Sequence, residues 1–337
     1  MHLNIANFHF LMRHAVYAFA MGMIVCSASI SLAEPIDEDS AFIAGSYGDN
    51  FIDKFRLTSQ SLTYESLEVV TSTVSASRDS GRSGTYSQVL PSGLLYRSYI
   101  AAPHEPRFSS AVLVDTSSGT SRWDATLGSR VGLYRRVRPP RVNFDSLQFD
   151  IEGAAMVRLD PQEKMDLESA DYRFGLLWTG KRDNLAVKFG YFHTSSHVGD
   201  EFLIKNPTFQ RINYVKESLI LGASLEASEE WRYYGEVAVG VIATGGAKPL
   251  QFQLGTEYAR QALRTSRGAP FVALNLEIRQ EVDFSPGVSI LTGWQWRNPE
   301  TLKAFRVGMQ YFNGPSNQYE FYQDHNAQLG IGVWYDF

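Results

Sequence analysis

Apolar and polar residues alternate along most of the chain, in segments of about ten residues that are separated by turn residues. Alternation places every second side chain on one face, so each segment predicts a β-strand with one apolar and one polar face. The segments recur from Leu94 to the terminal Phe337, and no helical periodicity interrupts them. Clear apolar sets are Trp123, Ala125 and Leu127; Tyr172, Phe174, Leu176 and Trp178; and Phe305, Val307, Met309 and Tyr311.

The polar face decides between a soluble sandwich and a membrane barrel. A sandwich exposes its polar face to water and uses strands of roughly five or six residues. Here the polar positions mix both signs of charge, and the apolar sets end repeatedly in Trp, Tyr or Phe. A charged interior, an apolar exterior and aromatic girdles are typical of outer-membrane barrels. We therefore predict an all-β fold, an outer-membrane antiparallel β-barrel of about twelve strands with a polar charged interior.

Composition fits an exported protein. The chain has 337 residues, a net charge of -5 and a mean hydropathy of -0.20, and no stretch after residue 35 has the ~20 apolar residues that a spanning helix needs. An apolar run from Ala15 to Ala28, followed by Ser31-Leu32-Ala33, predicts a signal peptide over residues 1–33. The sole cysteine, Cys26, lies inside it, so the mature chain has no disulfide. No basic excess indicates a nucleic-acid partner.

The mature chain divides into two regions. Residues 34–92 are rich in Ser, Thr, Gly and Asp and predict a loosely ordered N-terminal segment, either a periplasmic arm or a plug. Residues 93–337 predict the transmembrane barrel. The closing strand ends in Phe337, like the strands that the outer-membrane assembly machinery recognises, so that machinery is an expected partner and the bacterial outer membrane the expected location. The pattern does not indicate an oligomeric state.

The stretch from Asn184 to Glu201 carries candidate chemistry. Its alternation continues through His193, Ser195 and His197, which places all three on the apolar, lipid-facing side. A nucleophilic serine needs a base within hydrogen-bond reach, and the base needs a third group that fixes its tautomer. On the next strand, Asn213 and Glu217 share the outward parity, and either could orient His193. Backbone N–H groups between Ser196 and Gly199 are candidate donors to an oxyanion.

This outward His-x-Ser resembles the motif of two outer-membrane enzyme families, outer-membrane phospholipase A and the lipid A deacylase. The resemblance implies hydrolysis of an acyl ester in outer-leaflet lipid, with Ser195 as nucleophile, His193 as base and Asn213 or Glu217 as the orienting residue. It also implies calcium as a cofactor. The match departs from those families in two respects. Their serine is followed by asparagine, whereas Ser196 and His197 follow here, and their partner residue comes sooner after the serine than Asn213 does.

Other interpretations of the same residues stay open. The histidines and the serine could be interface residues that meet lipid headgroups. His197, Asp200 and Glu201 could hold a divalent metal ion with mixed nitrogen and oxygen ligands. The interior charges could line a narrow channel or satisfy one another as an ion-pair network. The alternative to an enzyme is therefore a non-enzymatic barrel, either a narrow channel or a structural and lipid-binding protein.

Several longer motifs resemble one bacterial family, domain of unknown function 1207. They are L-P-S-G-L-L-Y-R-S-Y-I-A from Leu90, W-D-A-T-L-G from Trp123, S-S-H-V-G-D-E-F from Ser195, E-V-D-F from Glu281 and W-Y-D-F at the terminus. The resemblance covers nearly all of the mature chain. It implies an exported barrel and supplies no activity.

Overall fold

The computed structural model describes residues 84–138, 144–260, 267–298 and 301–337. The predicted signal peptide, and residues 34–83 of the predicted N-terminal segment, lie outside the described residues.

Antiparallel strands dominate the described residues, as the alternation predicts. The strands are β1 (Tyr86–Val89), β2 (Phe108–Asp115), β3 (Ser121–Val137), β4 (Ser146–Asp160), β5 (Asp166–Arg182), β6 (Leu185–Val198), β7 (Val215–Glu226), β8 (Trp231–Thr244), β9 (Leu250–Ala259), β10 (Ala269–Arg279), β11 (Pro286–Arg297), β12 (Ala304–Pro315) and β13 (His325–Asp336). Helix α1 (Asp200–Lys205) follows β6, and single 3₁₀ turns cover Pro161–Glu163, Gln280–Val282 and Tyr319–Phe321. No helix in the described part of the chain is long and apolar enough to span a membrane.

Strands β2 to β13 close into a twelve-stranded barrel. Each strand pairs with its neighbour in sequence, and β13 pairs with β2 through Val333 opposite Ser110 and Ile331 opposite Val112. This confirms the predicted fold class and strand number. Strand β1 is an additional strand, which pairs with the end of β3 from Tyr86 opposite Val137.

The two faces of the wall have the polarity that the sequence predicts. Large apolar side chains such as Leu221 and Phe189 are 58% and 51% exposed on the outside, whereas charged side chains such as Lys188 and Arg232 are buried inside. A soluble protein would bury the apolar set. The outward apolar face is therefore suited to lipid rather than water.

Residues 91–107, here called the luminal segment, run through the barrel interior between β1 and β2. Tyr96, Tyr99 and Ile100 are almost fully buried, and Tyr99 stacks on Tyr234 of β8 with ring centroids 3.8 Å apart. The predicted barrel boundary lay at residue 93, but the first wall strand begins at Phe108.

Arginines hold the luminal segment by its backbone carbonyls. Arg232 donates to the carbonyl oxygens of Ser98 at 2.9 Å and Arg97 at 2.7 Å. Arg130 donates to the carbonyl of Tyr96, and Arg135 to that of Gly93 at 2.8 Å. Because a segment without strand partners leaves these carbonyls unpaired, the wall supplies the donors that a sheet neighbour otherwise would.

Most of the other interior charges form ion pairs between adjacent or nearby strands of the wall. Lys188 contacts Glu236 at 2.5 Å, and Arg232 contacts Glu257 at 3.1 Å. Further pairs join Arg173 to Glu152 at 2.7 Å, Arg158 to Asp124 at 2.7 Å, Arg122 to Glu168 at 2.6 Å and Arg306 to Asp336. Together with the luminal segment, these pairs occupy the interior that a channel would leave open to water.

The barrel has two rims. The C-terminal rim contains the end of β13 and the short turns at residues 183–184 and 227–230. The opposite rim, here called the distal rim, contains the connections 161–165, 199–214 and 316–324. The connection 316–324 folds across the distal end, where Tyr319 stacks on Tyr214 at 4.7 Å and on His104 of the luminal segment at 4.4 Å.

Candidate functional site

The outward face of β6 carries His193 and Ser195 near the distal rim. Their inward neighbours Phe192, Thr194 and Ser196 are buried, so the predicted parity holds to the end of the strand. Consecutive outward residues on a strand lie about 6.6 Å apart, so two such side chains can meet on one face.

Strand β7 brings Glu217 directly opposite His193. The Nδ1 atom of His193 lies 2.7 Å from Oε1 of Glu217, and both side chains are largely shielded, at 12% and 6% exposed. A carboxylate accepts a hydrogen bond and cannot donate one, so Nδ1 carries the proton, and whenever the imidazole is neutral Nε2 is the acceptor. This is the tautomer that a general base for Ser195 requires.

Tyr191 is a fourth member of the site, which the sequence pattern did not reveal. Its hydroxyl donates to Oε2 of Glu217, so both carboxylate oxygens of Glu217 are engaged. Tyr191 lies two residues before His193 and therefore shares its outward face, and this spacing is the sequence signal that could have identified it.

A register irregularity in the neighbouring strand pair sits at the same place. Pairing between β7 and β8 shifts between Glu217 and Ser218, because β8 has one extra residue there. Such a bulge re-aims side chains and increases the local twist, and bulges are over-represented beside active sites.

Asn213, the other candidate partner of His193, lies elsewhere. It precedes β7 in the connection 199–214, has a left-handed backbone with φ 51°, and donates its backbone N–H to Oε1 of Glu320 at 2.9 Å. The backbone N–H of Ile212 donates to the same carboxylate at 3.0 Å. Asn213 therefore helps to fix the connection to the distal rim, and Glu217 is the residue beside His193.

Ser195 lies opposite Val215 of β7 and Tyr172 of β5. No hydrogen bond joins its hydroxyl to His193 among the described residues. Hydrogen bonds between a nucleophile and its base are often long before substrate binds. A rotation of the Ser195 or His193 side chain would be needed to bring the hydroxyl to the imidazole.

The predicted oxyanion donors are engaged with other groups. The N–H of Ser196 donates to the carbonyl of Tyr214 at 3.0 Å, and that of Gly199 donates to the carbonyl of Glu168 at 2.9 Å. Gly199 is needed for close packing, since a Cβ atom there would lie 1.8 Å from the carbonyl oxygen of Leu167. The N–H groups at the two ends of the predicted range, those of Ser196 and Gly199, are therefore used in structural hydrogen bonds.

The predicted metal ligands do not form a cluster. His197 packs edge-on against Tyr172, with ring centroids 5.8 Å apart, while Asp200 and Glu201 form the first turn of α1. Across the described ranges, no three or more His, Cys, Asp or Glu side chains are grouped so that they could hold a metal ion. The described residues therefore offer no cluster of carboxylates for the calcium that the phospholipase resemblance implies, although calcium also binds backbone and amide oxygens.

Aromatic packing fixes the connection that follows the site. Phe202 of α1 contacts Phe209 and Phe321 with ring centroids 5.2 Å apart in each case, and Phe209 contacts Phe321 at 5.3 Å. On the inner side, Ser196 donates to Asp171 and accepts from the N–H of Glu320 at 3.1 Å. These contacts hold the end of β6, and with it the outward His193 and Ser195, against the distal rim.

A family model described as "Protein of unknown function (DUF1207)" matches residues 60–337. The chain belongs to this family. No curated protein matches the DUF1207 chain.

Solved structures of similar fold include outer membrane phospholipase A from Escherichia coli, at 12% identity and TM-score 0.45, covering 70% of this chain and 91% of that one. The KdgM porin has 8% identity and TM-score 0.41, covering 68% and 98%. The phospholipase dimer from Salmonella typhi with bound calcium has 12% identity and TM-score 0.46, covering 70% and 92%. These similarities are limited to the barrel fold of the outer-membrane type. They give no information about the activity of the DUF1207 chain.

Proposed function

We propose that this DUF1207 protein resides in the bacterial outer membrane and hydrolyses acyl esters of outer-leaflet lipid. The observation that carries the proposal is the 2.7 Å contact between His193 Nδ1 and Glu217 Oε1, on the same outward face as Ser195. A histidine oriented by a carboxylate, beside a serine, is the minimal set for nucleophilic acyl transfer. Its position on the apolar outer face suits a substrate that is itself part of the membrane.

The proposed reaction runs in two steps. Oγ of Ser195 attacks the ester carbonyl while Nε2 of His193 takes the hydroxyl proton. The tetrahedral intermediate then expels the alcohol, which receives that proton from His193, and an acyl-serine remains. In the second step, water attacks the acyl-serine with His193 again as base, and a fatty acid and free Ser195 are released. Glu217 keeps Nδ1 protonated and stabilises the imidazolium that forms in each step.

The filled lumen favours a function on the outer face over a channel. The luminal segment is anchored by Arg130 and Arg232, and Lys188 and Glu236 pair across the space beside it. A porin needs a continuous water-filled path, and these contacts lie in the space where such a path would run. If no hydrolysis is found, the non-enzymatic alternative is a structural or lipid-binding barrel.

The proposal is tested by mass spectrometry of lipid extracts. Refolded protein is incubated with phospholipid and with lipopolysaccharide, each with calcium chloride and with a chelator. We expect acyl chains to be released by the wild type. Loss of the nucleophile in Ser195→Ala should lower the rate at least a thousandfold, and loss of the base in His193→Ala should lower it by roughly 10²–10⁴-fold.

A matched control is available on another strand. Ser129 of β3 also points outward, between the exposed Leu127 and Val131, but has no histidine beside it. Ser129→Ala should retain the wild-type rate. Absence of acyl release by wild type from either lipid, with or without calcium, would rule out the hydrolase. A rate that survives in Ser195→Ala would remove Ser195 from the mechanism.

A further inference from the structure

Buried positive charge is concentrated inside the C-terminal rim, far from Ser195. Three carboxylates pair with five cations there, and a sixth cation, Arg297 at the end of β11, lies among them. The pairs are Arg97 with Glu226 at 3.3 Å, Lys181 with Glu226 at 2.9 Å, Arg232 with Glu257 at 3.1 Å, Arg107 with Asp336 at 3.4 Å, and Arg306 with Asp336. Two of the three carboxylates are therefore shared between two cations each.

Arg297 is the cation without a carboxylate. It is 8% exposed, and within the described part of the chain its one hydrogen bond runs from Nη1 to the carbonyl of Leu302 at 3.4 Å. Its Nε atom is buried and has no hydrogen-bond partner. No ion pair of Arg297 is found in residues 84–138, 144–260, 267–298 and 301–337. A buried unpaired guanidinium is costly, and a buried polar atom without a partner commonly marks an ion or water that binds there.

The surrounding charges make the site more positive still. Arg97 and Arg306 repel Arg297, whereas the carboxylates of Asp336 and Glu257 attract it. Burial, followed by repulsion from Arg232, lowers the pKa of the Arg97 guanidinium to about 10. The excess of positive charge thus extends from the wall to the luminal segment.

These guanidinium groups surround a small cavity. It has a volume of about 30 Å³ and is lined by Arg97, Arg297, Arg306 and Asp336, with Leu94 and Leu302 among the apolar walls. A water-sized group needs roughly 10–15 Å³ by this measure, so the cavity has room for one or two such groups. That suits a halide ion or the two oxygens of a carboxylate, and it is too small for a whole phosphate.

We propose that this cavity is a binding site for a small monovalent anion, a halide or a carboxylate group, with Arg297 as the principal ligand. The Nε atom of Arg297 has no partner, and a guanidinium is a planar fork of donors that matches a carboxylate and also accommodates a halide. Arg97 belongs to the luminal segment, whereas Arg297 and Arg306 belong to the wall. The anion would therefore tie the luminal segment to β11 and β12.

The test measures the thermal unfolding of the refolded mature protein in detergent. Sodium gluconate, whose anion is too large for the cavity, is replaced stepwise at constant ionic strength by chloride, formate or phosphate. We expect a saturable rise in Tm with chloride or formate, whichever the site prefers, and none with phosphate. Arg297→Gln should raise the apparent Kd at least tenfold. Arg182→Gln is the matched control, because Arg182 lies at the same rim with its side chain 53% exposed.

A second measurement covers the case in which Arg297→Gln does not fold. Crystals of the wild type grown in bromide should show an anomalous peak between Arg97, Arg297 and Arg306. The proposal is overturned if Tm responds equally to all anions without saturation, if Arg297→Gln leaves the apparent Kd unchanged, or if no bromide peak is found in the cavity. None of these results bears on lipid hydrolysis, since Ser195 lies near the opposite rim.

Discussion

Arg232→Met tests whether the luminal segment is locked inside a dry barrel. Arg232 is 1% exposed and makes four hydrogen bonds, to Ser224 Oγ at 2.6 Å, to Glu257 at 3.1 Å and to the carbonyls of Arg97 and Ser98. Methionine retains much of the volume and removes every donor. Glu257 then keeps only the backbone N–H of Ile100 as a donor, at 2.7 Å.

The expected destabilisation follows from the groups left unpaired. Removing one partner of a buried ion pair costs about 3–5 kcal/mol. Each of the two part-buried carbonyls that lose a donor adds roughly 1 kcal/mol, the lower end of the cost of an unpaired buried group. We therefore expect the free energy of unfolding to fall by at least about 5 kcal/mol, unless the luminal segment leaves the barrel at a lower cost and exposes these groups to water.

The assay separates those two responses. Urea unfolding in detergent micelles measures the loss of stability, and limited trypsin digestion after Arg97 reports release of the luminal segment. The double variant Arg232→Met with Glu257→Gln removes the unpaired charge and should recover about 2 kcal/mol or more. Arg182→Met, at an exposed position, should stay within about 0.5 kcal/mol of the wild type. A cost below about 1 kcal/mol for Arg232→Met, with Arg97 still protected from trypsin, would refute the dry lumen.

Three further predictions concern the pore, the outer site and pH. In planar bilayers the wild type should show no steady conductance, and a steady conductance that changes in Glu236→Gln would contradict the closed lumen. Glu217→Gln weakens a hydrogen bond to a charged group that is worth about 1.5–3 kcal/mol, so hydrolysis should slow by roughly 10- to 100-fold, whereas an unchanged rate would remove Glu217 from the mechanism. Burial lowers the pKa of His104, but the carboxylates of Asp171 and Glu277, which lie 3.7 Å and 3.6 Å from its ring nitrogens, outweigh it and raise the pKa from 6.5 to about 9. The protonated form therefore stabilises the fold fully below pH 6.5, and up to about 3 kcal/mol is lost as pH rises to 9. Urea unfolding across this range should show the slope in wild type and a flatter profile in His104→Gln, and equal slopes would contradict it.

The wall of the barrel was predictable because its signal is local. A period of two residues sets the faces, and turn residues set the strand ends, so twelve strands and the outward position of His193 follow from the sequence. The choice between Asn213 and Glu217 needed the register of β7 against β6. A positive φ at Asn213 ends the extended backbone before β7 begins, and no alternation pattern reveals that turn.

The contents of the lumen were not predictable in the same way. Strand segments were predicted from Leu94, but residues 91–107 form no strand, and their partners Arg130, Arg232 and Glu257 are dozens to more than a hundred residues away. Alternation shows that these charges face inward but not what they meet there. The cluster of Tyr96 and Tyr99 was the available hint, since large aromatic side chains in a segment without strand periodicity need a buried surface to pack on.

The filled interior and the outward site support each other physically. A catalytic group must be held within about 0.5 Å of its working position by neighbours that do not move. An open, hydrated lumen would leave β6 supported only by its strand partners. Here Lys188 pairs with Glu236 and Ser196 with Asp171 on the inner face of β6, so the strand that carries His193 and Ser195 is fixed from behind. In this barrel the interior side chains support the wall, so the outer face is the one on which a catalytic site could be formed. The contact between His193 and Glu217 lies on that face.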